Sequence, residues 1–185
     1  WGWYATWFAP RGFYVDLSGR WMAVDIASTS SAGRVNGRAR TGAWNLEAGY
    51  EWNVGGFNLV PQAQYTRTKV EDATYTGALD TLVVHGGTFE RGRLGLELNK
   101  TYVSGDVRWM PYATISAVHD FSGTSTYTVA NVFSGSTTLK GSSAMAELGV
   151  GMQKGGFGFT LSASWNDGGP YKSVVGAQAN LRYSW

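Results

Sequence analysis

Cysteine is absent from this 185-residue chain, proline occurs only four times, and charged residues make up only 15% of it. Without cysteine the chain cannot contain a disulfide scaffold, a thiolate nucleophile or a cysteine-based metal site. A net charge of +2, with dispersed Lys and Arg, is too small to indicate a nucleic-acid-binding surface. No run of about 18 apolar residues occurs, which excludes a transmembrane helix and the apolar segment of a signal peptide.

Glycine and aromatic residues are abundant instead. The chain has 26 Gly and nine Trp, and aromatic residues make up 15% of it. Together with frequent Ser and Thr, this composition favours β-strands over helices. The chain begins with WGWYATWF, which contains neither an initiator Met nor a targeting signal, so we expect the natural gene product to start upstream of residue 1.

Apolar and polar residues alternate along several segments, as expected for strands with one apolar face. In WNLEAGYEW (44–52) the even-numbered residues are aromatic or aliphatic, and the odd-numbered residues are polar or small. The last segment, GAQANLRYSW, alternates in the same way up to the terminal Trp185. Nine strands are predicted in this way, at residues 1–8, 13–21, 44–52, 57–66, 93–99, 109–118, 145–152, 157–165 and 173–185.

The connections between these strands alternate between short and long. Long polar connections are predicted at 27–38, 71–89 and 122–141, and tight turns lie between them. In an up-and-down arrangement, all the long connections would emerge at the same end of the sheet. This is the pattern of transmembrane β-barrels, which have short periplasmic turns and longer extracellular loops. The sequence therefore predicts an all-β, antiparallel, up-and-down transmembrane β-barrel.

A soluble β-sandwich is the alternative fold, because its strands also alternate. Its solvent face, however, should carry many Lys and Glu. Here the polar face is mostly Gly, Ser, Asn and Gln, with roughly one charge per strand, and the apolar face of 44–52 has aromatic residues at both ends and Leu46 and Ala48 between them. Aromatic residues flanking an aliphatic band are typical of a surface that contacts lipid.

Six segments resemble, in order, a known family, the translocator domain of autotransporters (type V secretion proteins). These segments are LEAGYEW (46–52), FNLVPQAQYT (57–66), GRLGLELNKTY (92–102), WMPYATISAVHDFSG (109–123), AELGVGM (146–152) and AQANLRYSW (177–185). The resemblance implies a barrel of twelve strands in the bacterial outer membrane, which secretes and anchors an N-terminal passenger and is not an enzyme. Some members of the family cleave their own linker, but the linker is not in this chain.

Nine strands are present instead of twelve. The first and last strands would run in the same direction, and an antiparallel barrel cannot close on two parallel neighbours. We therefore expect residues 1–185 to be a single translocator domain that lacks its N-terminal strands and linker helix. The resemblance also implies the partners: outer-membrane lipid, the barrel assembly machinery, periplasmic chaperones, and the protein's own passenger and linker helix. It implies no cofactor and no nucleic acid.

The last strand resembles the β-signal that the barrel assembly machinery recognises. Its recognition positions would be Gly176, Leu181, Tyr183 and Trp185. Recognition of this kind relies on backbone pairing for affinity and alternating side chains for register. Alternatively, Tyr183 and Trp185 are aromatic residues at the periplasmic membrane interface, and the two interpretations are compatible.

Charged residues on the polar face are predicted to line the barrel lumen. They are Arg20, Glu47, Glu51, Arg93, Glu97, Arg108, Glu147 and Arg182. They would either form a polar lining that lets a passenger segment pass or form a structural network of ion pairs. Glu47 and Arg20 are the predicted pair on neighbouring strands.

Catalysis and metal binding have little support in the sequence. His119 and Asp120 are adjacent, so they point to opposite faces of a strand and do not form a dyad, and the one other histidine is His85. Two histidines without cysteine do not suggest a structural zinc site. The alternative function is a small outer-membrane adhesin or binding barrel that acts through the long loops, and an outer-membrane enzyme ranks third.

Overall fold

The computed structural model describes residues 1–30, 33–76, 81–130 and 132–184, which form one antiparallel sheet of fifteen strands. Nine strands span the sheet in chain order: β1 (Gly2–Phe8), β2 (Phe13–Ser30), β3 (Gly33–Tyr50), β5 (Phe57–Val70), β8 (Gly87–Asn99), β10 (Val107–Ser122), β13 (Gly141–Lys154), β14 (Phe157–Gly168) and β15 (Tyr171–Tyr183). Six short strands are β4 (Trp52–Val54), β6 (Ala73–Thr76), β7 (Thr81–His85), β9 (Tyr102–Ser104), β11 (Thr124–Val129) and β12 (Phe133–Thr138). Within these ranges no helix is long and apolar enough to cross a membrane.

Each spanning strand pairs antiparallel with the next one along the chain, which confirms the predicted up-and-down order. The count of fifteen strands differs from the nine expected for two reasons. Near two tight turns the strand is interrupted, so that β4 and β9 are separate from β3 and β8. In addition, the long connections themselves form strands. We call the end of the sheet with the tight turns the short-turn end and the opposite end the long-hairpin end.

The predicted loops at 27–38, 71–89 and 122–141 are largely β-structure. β2 and β3 continue as one hairpin to Ser30 and Gly33, and β6 and β7 form a second hairpin. β11 and β12 form a third hairpin, and the three pair side by side through β3–β6 and β7–β11. Polar Ser- and Thr-rich segments form strands here because their backbone groups pair with neighbouring hairpins that the sequence alone does not identify.

The two faces of the sheet expose and bury residues in the reverse of the pattern found in a soluble protein. Large aliphatic side chains on one face are exposed, including Leu94 at 68%, Ile115 at 65% and Leu148 at 66%. On the other face, the buried residues include small and polar ones such as Thr114 and Ser116. We call these the apolar face and the polar face. An exposed aliphatic band with a polar interior suits a sheet surrounded by lipid and does not suit a soluble sandwich.

Aromatic side chains form two bands on the apolar face. The band towards the long-hairpin end contains Trp21, Trp44, Tyr65, Phe121 and Trp165, and the band towards the short-turn end contains Trp7, Phe13, Tyr50, Phe57, Trp109, Phe157 and Tyr183. Along β3, Trp44 and Tyr50 are about 20 Å apart at the usual rise of a strand. Leucine and alanine occupy the space between the bands, as the sequence predicts for a membrane-spanning strand.

The sheet is curved, and its two outer spanning strands remain at its edges. Arg91 on β8 hydrogen-bonds the hydroxyl of Tyr171 on β15, although β10, β13 and β14 lie between them. Among the described residues, β1 pairs only with β2 and β15 pairs only with β14. Both edge strands run from the long-hairpin end to the short-turn end, which agrees with the parallel arrangement expected from the sequence.

Candidate functional site

The polar face contains an ion pair that joins three strands. Arg93 on β8 lies 2.9 Å (Nη2 to Oε2) from Glu47 on β3, and the two side chains are only 14% and 16% exposed. Gln64 on the intervening β5 donates to Glu47 Oε2 at 2.9 Å and accepts from Arg93 Nε at 3.1 Å. Every charged group of this network therefore has a partner within the protein, which offsets the cost of removing it from water.

A tyrosine over a glycine completes this network and recurs elsewhere. The Tyr14 hydroxyl donates to Glu47 Oε1 at 2.9 Å, and its ring covers Gly49, where a β-carbon would overlap the ring. On β10 the Tyr112 hydroxyl donates to Glu147 Oε1 at 2.7 Å, and its ring covers Gly149 in the same way. In both cases the glutamate lies two residues before the glycine. This Glu-x-Gly spacing is a sequence signal that alternation alone does not reveal.

Amide and carboxylate groups continue the polar face towards the short-turn end. Glu97 accepts from Gln62 Nε2 at 3.2 Å and from Asn99 Nδ2 at 2.8 Å. Asn58 in turn donates to Asn99 Oδ1 at 3.2 Å. Three of the predicted lining residues, Glu47, Arg93 and Glu97, therefore belong to one continuous set of polar contacts across β3, β5 and β8.

A second ion pair lies near the long-hairpin end of the polar face. Arg91 contacts the buried Asp120 with two parallel hydrogen bonds, Nε to Oδ1 at 2.8 Å and Nη2 to Oδ2 at 3.2 Å. Arg91 also lies over the ring of Tyr171, 5.4 Å from its centroid. Sequence reasoning missed Arg91 as a lining residue, although it lies on the same face as Arg93, two residues away.

The structure corrects the predicted partner of Glu47. Arg20 lies opposite Ala43, four residues along β3 from Glu47, which places it about 13 Å away along the strand. The residue opposite Glu47 on β2 is Asp16. The predicted Glu47–Arg20 pair is therefore wrong, because strand register, which the sequence does not specify, brings Arg93 to Glu47 instead.

The other predicted lining residues lie at the ends of the sheet. Arg108 and Arg182 are near the short-turn end, opposite Gln153 and Gly158. Glu51 lies in the break between β3 and β4, where its backbone N–H donates to the Gly12 carbonyl at 2.9 Å. None of these three is in an ion pair within 4 Å among the described residues.

Three of the four predicted recognition positions of the last strand lie on β15. Gly176 is opposite Ser164, Leu181 opposite Phe159, and Tyr183 opposite Phe157. Leu181 and Tyr183 are 67% and 68% exposed on the apolar face. Trp185 lies outside the described residues. Within the described part of the chain no strand pairs with the second edge of β15, which lies next to exposed apolar side chains.

Histidine and acidic residues do not converge in the described part of the chain. His119 Nδ1 lies 2.8 Å from Ser142 Oγ, on the opposite face from Asp120, so the two residues point apart as the sequence predicts. His85 Nδ1 lies 3.4 Å from Asp72 Oδ2 in the β6–β7 region. In residues 1–30, 33–76, 81–130 and 132–184 no group of three His, Asp or Glu side chains is close enough to hold a metal ion.

Comparisons with known proteins agree with this geometry. The family model described as the autotransporter beta-domain matches residues 1–166. The pertactin autotransporters of Bordetella bronchiseptica and Bordetella parapertussis are 36% and 35% identical over this whole chain. The chain spans only 21% of the length of each of these relatives.

A solved structure has the same fold. The beta domain of the Bordetella autotransporter BrkA superposes with a TM-score of 0.72 at 22% identity, covering 100% of this chain and 71% of that one. At this identity the likeness shows the fold alone. The family model covers most of the chain and so shows the family. The chain therefore belongs to the autotransporter beta-domain family, whose members are translocator barrels of the bacterial outer membrane.

Proposed function

We propose that this domain secretes an N-terminal passenger and anchors it in the outer membrane. The observation that carries the proposal is the polar face, where Glu47 and Arg93 neutralise each other and Glu97 accepts hydrogen bonds from two amides. A passing polypeptide would meet, in the middle of this face, polar groups that already have hydrogen-bond partners within the protein. The domain acts as a conduit and anchor and has no enzymatic activity of its own.

The polar face becomes the lumen once further strands complete the barrel. β1 and β15 run in the same direction, so an odd number of additional strands is needed for every neighbour to be antiparallel. The BrkA beta domain, of which 29% lies outside the match, is long enough to contain such strands. In this proposal residues 1–185 are one part of a single barrel domain that also holds a linker helix in its lumen.

The barrel assembly machinery recognises β15 in this proposal. Its free edge can add a strand by backbone pairing, while Gly176, Leu181, Tyr183 and Trp185 set the register. Exposed Leu181 and Tyr183 on the apolar face support this role. Periplasmic chaperones are the natural partners before insertion, because the exposed aliphatic face would otherwise aggregate in water.

A second candidate function is that of an adhesin or binding barrel. It is favoured by the sheet that the three long hairpins form, since β3, β6, β7, β11 and β12 pair with one another and so present an ordered surface. The two functions are distinguished by whether a polypeptide passes along the polar face.

Single-cysteine variants can make that distinction, because the chain has no cysteine of its own. Gln178→Cys and Ala179→Cys are adjacent on β15 and lie on the polar and the apolar face. Each variant would be expressed as the full-length protein and treated during secretion with a cross-linker that joins thiols to amines. The full-length protein without an introduced cysteine is the background control.

We expect Gln178→Cys to cross-link to the passenger during secretion and Ala179→Cys to give no more product than the background. Equal cross-linking at both positions would contradict passage along the polar face. Secretion of the passenger without any cross-link at Gln178→Cys would also contradict it. Barrel folding is checked in each variant by the shift in electrophoretic mobility between unheated and boiled samples.

A further inference from the structure

Three basic residues lie close together on the apolar face, just beyond the aromatic band at the long-hairpin end. Along β3, Trp44 and Gly42 are followed by Arg40, and along β5, Tyr65 is followed by Arg67 and Lys69. Alternate residues of a strand share a face, so all of these side chains point away from the polar face. We call the following six residues the cationic notch: Trp21, Arg40, Gly42, Trp44, Arg67 and Lys69.

Strand register brings the residues of the notch together. Trp44 is opposite Arg67, and Gly42 is opposite Lys69. On the other side of β3, Gly42 is opposite Trp21. The indole of Trp21 lies over Gly42, where a β-carbon would come within 3.2 Å of it. A groove of about 690 Å³ lies here, and the six residues of the notch are among those that line it.

The acidic neighbours of the notch are weak competitors for its basic groups. Arg40 Nη1 lies 3.8 Å from Glu71 and Arg67 Nε lies 3.7 Å from Glu90, with side chains that are 29–59% exposed. Exposed ion pairs at such distances contribute little. Lys69 has no acidic partner within 4 Å among the described residues.

Glu90 is in addition engaged by other donors. Its carboxylate accepts from the Tyr65 hydroxyl at 2.9 Å and from Ser122 Oγ at 3.1 Å. The guanidinium of Arg67 therefore keeps donors available for another anion. Arg67 and Lys69 are two residues apart on one strand, about 7 Å along its axis, so they can contact two phosphates or two sides of one.

Among the described residues, β10 and β14 lack this arrangement. At a similar height on β10 and β14 the outward residues are His119, Phe121, Trp165 and Asp167. No Lys or Arg stands among these four positions. The positive charge is therefore local to β3 and β5, where it lies beside exposed Trp21 and Trp44 at the level expected for lipid headgroups.

We propose that the cationic notch binds one phosphorylated lipid of the outer leaflet. Its headgroup phosphates lie between Arg40, Arg67 and Lys69, and one acyl chain lies along the groove against Trp21 and Trp44. Charge complementarity selects the phosphate, and the apolar floor of the groove selects a lipid over free phosphate. The domain would thus carry a specific lipid on the side of the barrel formed by β2, β3 and β5.

Native mass spectrometry of the full-length protein in detergent tests this proposal. The probes are lipid A, which has two phosphates, the zwitterionic lipid dioleoylphosphatidylcholine, and sodium phosphate alone. We expect one lipid A molecule to remain bound, phosphatidylcholine to bind much more weakly, and sodium phosphate not to displace lipid A. Displacement by sodium phosphate would overturn the lipid assignment, and equal binding of both lipids would overturn the selection of a lipid with net negative charge.

Two variants locate the binding. Arg67→Gln combined with Lys69→Gln should lower the affinity for lipid A about thirty-fold, as expected for two basic contacts to an anionic lipid. The matched control is Arg11→Gln combined with Lys140→Gln, which removes the same charge from exposed positions elsewhere. Equal affinities of these two variants would overturn the proposal.

Trp44→Ala keeps every charge and removes one apolar wall of the groove, so it tests the acyl-chain part separately. Its affinity for lipid A should also fall. Unchanged affinity would overturn the placement of the acyl chain. Electrophoretic mobility of unheated samples shows whether each variant is folded before its binding is measured.

Discussion

Two ion pairs on opposite faces of the same sheet differ in almost every respect. On the polar face, Arg93 and Glu47 are 2.9 Å apart and only 14% and 16% exposed. On the apolar face near the long-hairpin end, Arg38 and Asp25 are 3.5 Å apart and 57% and 80% exposed. The inner pair is enclosed by protein and the outer one by solvent or headgroups.

The neighbours of the two pairs explain what this difference means. Glu47 also accepts hydrogen bonds from Tyr14 and Gln64, so the inner pair joins β2, β3, β5 and β8. The outer pair only links β2 to β3, which are already paired along their whole length. In this domain the polar face therefore serves as the structural core, whereas charges on the outside contribute little to folding.

The largest predicted effect comes from breaking the inner pair. Glu47→Leu leaves the enclosed Arg93 without its carboxylate, and we expect it to lower the free energy of unfolding by about 3 kcal/mol. The measurement is urea unfolding of the full-length protein in detergent, followed by electrophoretic mobility. The double variant Glu47→Leu/Arg93→Leu should recover part of the loss, because it leaves no unpaired charge. If the double variant lost as much unfolding free energy as Glu47→Leu and Arg93→Leu together, the pairing would be contradicted.

Packing of tyrosine over glycine gives the next largest effect. In Gly149→Ala the new methyl group overlaps the ring of Tyr112, which should lower the free energy of unfolding by about 1–3 kcal/mol. Gly151→Ala is the matched control on the same face, because the nearest atom to its methyl group, Met110 Cε, is 3.4 Å away. The same urea titration compares the two variants. Equal stabilities would show that the ring of Tyr112 does not need the glycine.

The outer pair should be almost neutral. Arg38→Gln removes one partner of an exposed pair, and we expect a change in the free energy of unfolding below about 0.5 kcal/mol. Urea unfolding at low and high salt provides the measurement. A loss as large as that of Glu47→Leu would abolish the distinction between the two faces.

The smallest predicted effect is local and depends on pH. The backbone N–H of Gly86 and the side chain of His85 lower the pKa of the Asp72 carboxyl below its ordinary value of 3.8. A lowered pKa in the folded state stabilises the hairpin above the ordinary pKa, and this contribution is lost as the pH falls through the lowered value.

Hydrogen exchange followed by mass spectrometry can detect this loss. The Gly86 amide, which donates to Asp72 Oδ1 at 2.8 Å, should lose protection on acidification once the chemical exchange rate is taken into account. Asp72→Asn should remove most of this pH dependence. Protection that changes equally with pH in both proteins would contradict the role of the carboxylate.

Much of the fold could be predicted from alternation because the side-chain period of a strand is short and local. The nine spanning strands and their two faces follow from residues such as Trp44, Leu46 and Glu47. The strands of the long hairpins could not be predicted in this way. All four of these strands, β6, β7, β11 and β12, are short, and all but β7 are rich in Ser or Thr; they exist because they pair with one another above the sheet.

The candidate site shows the same division. Strand parity is enough to place Glu47, Arg93, Glu97 and Glu147 on the polar face. Which residue meets which depends on register and on the stagger between strands, and a shift of a few residues changes every partner. For this reason Arg20 was predicted as the partner of Glu47, whereas in the structure the partner of Glu47 is Arg93.

Alternation along the chain is enough to predict a sheet with a lipid-facing side and a polar side, because adjacent residues of a strand point to opposite faces. The sequence also determined which end has tight turns, since chain length between strands is read directly. The partners emerge only from the folded sheet: Arg93 with Glu47, Tyr14 over Gly49, and Trp44 opposite Arg67. These contacts join residues that are distant in the chain, and their geometry is set by register and curvature over many strands.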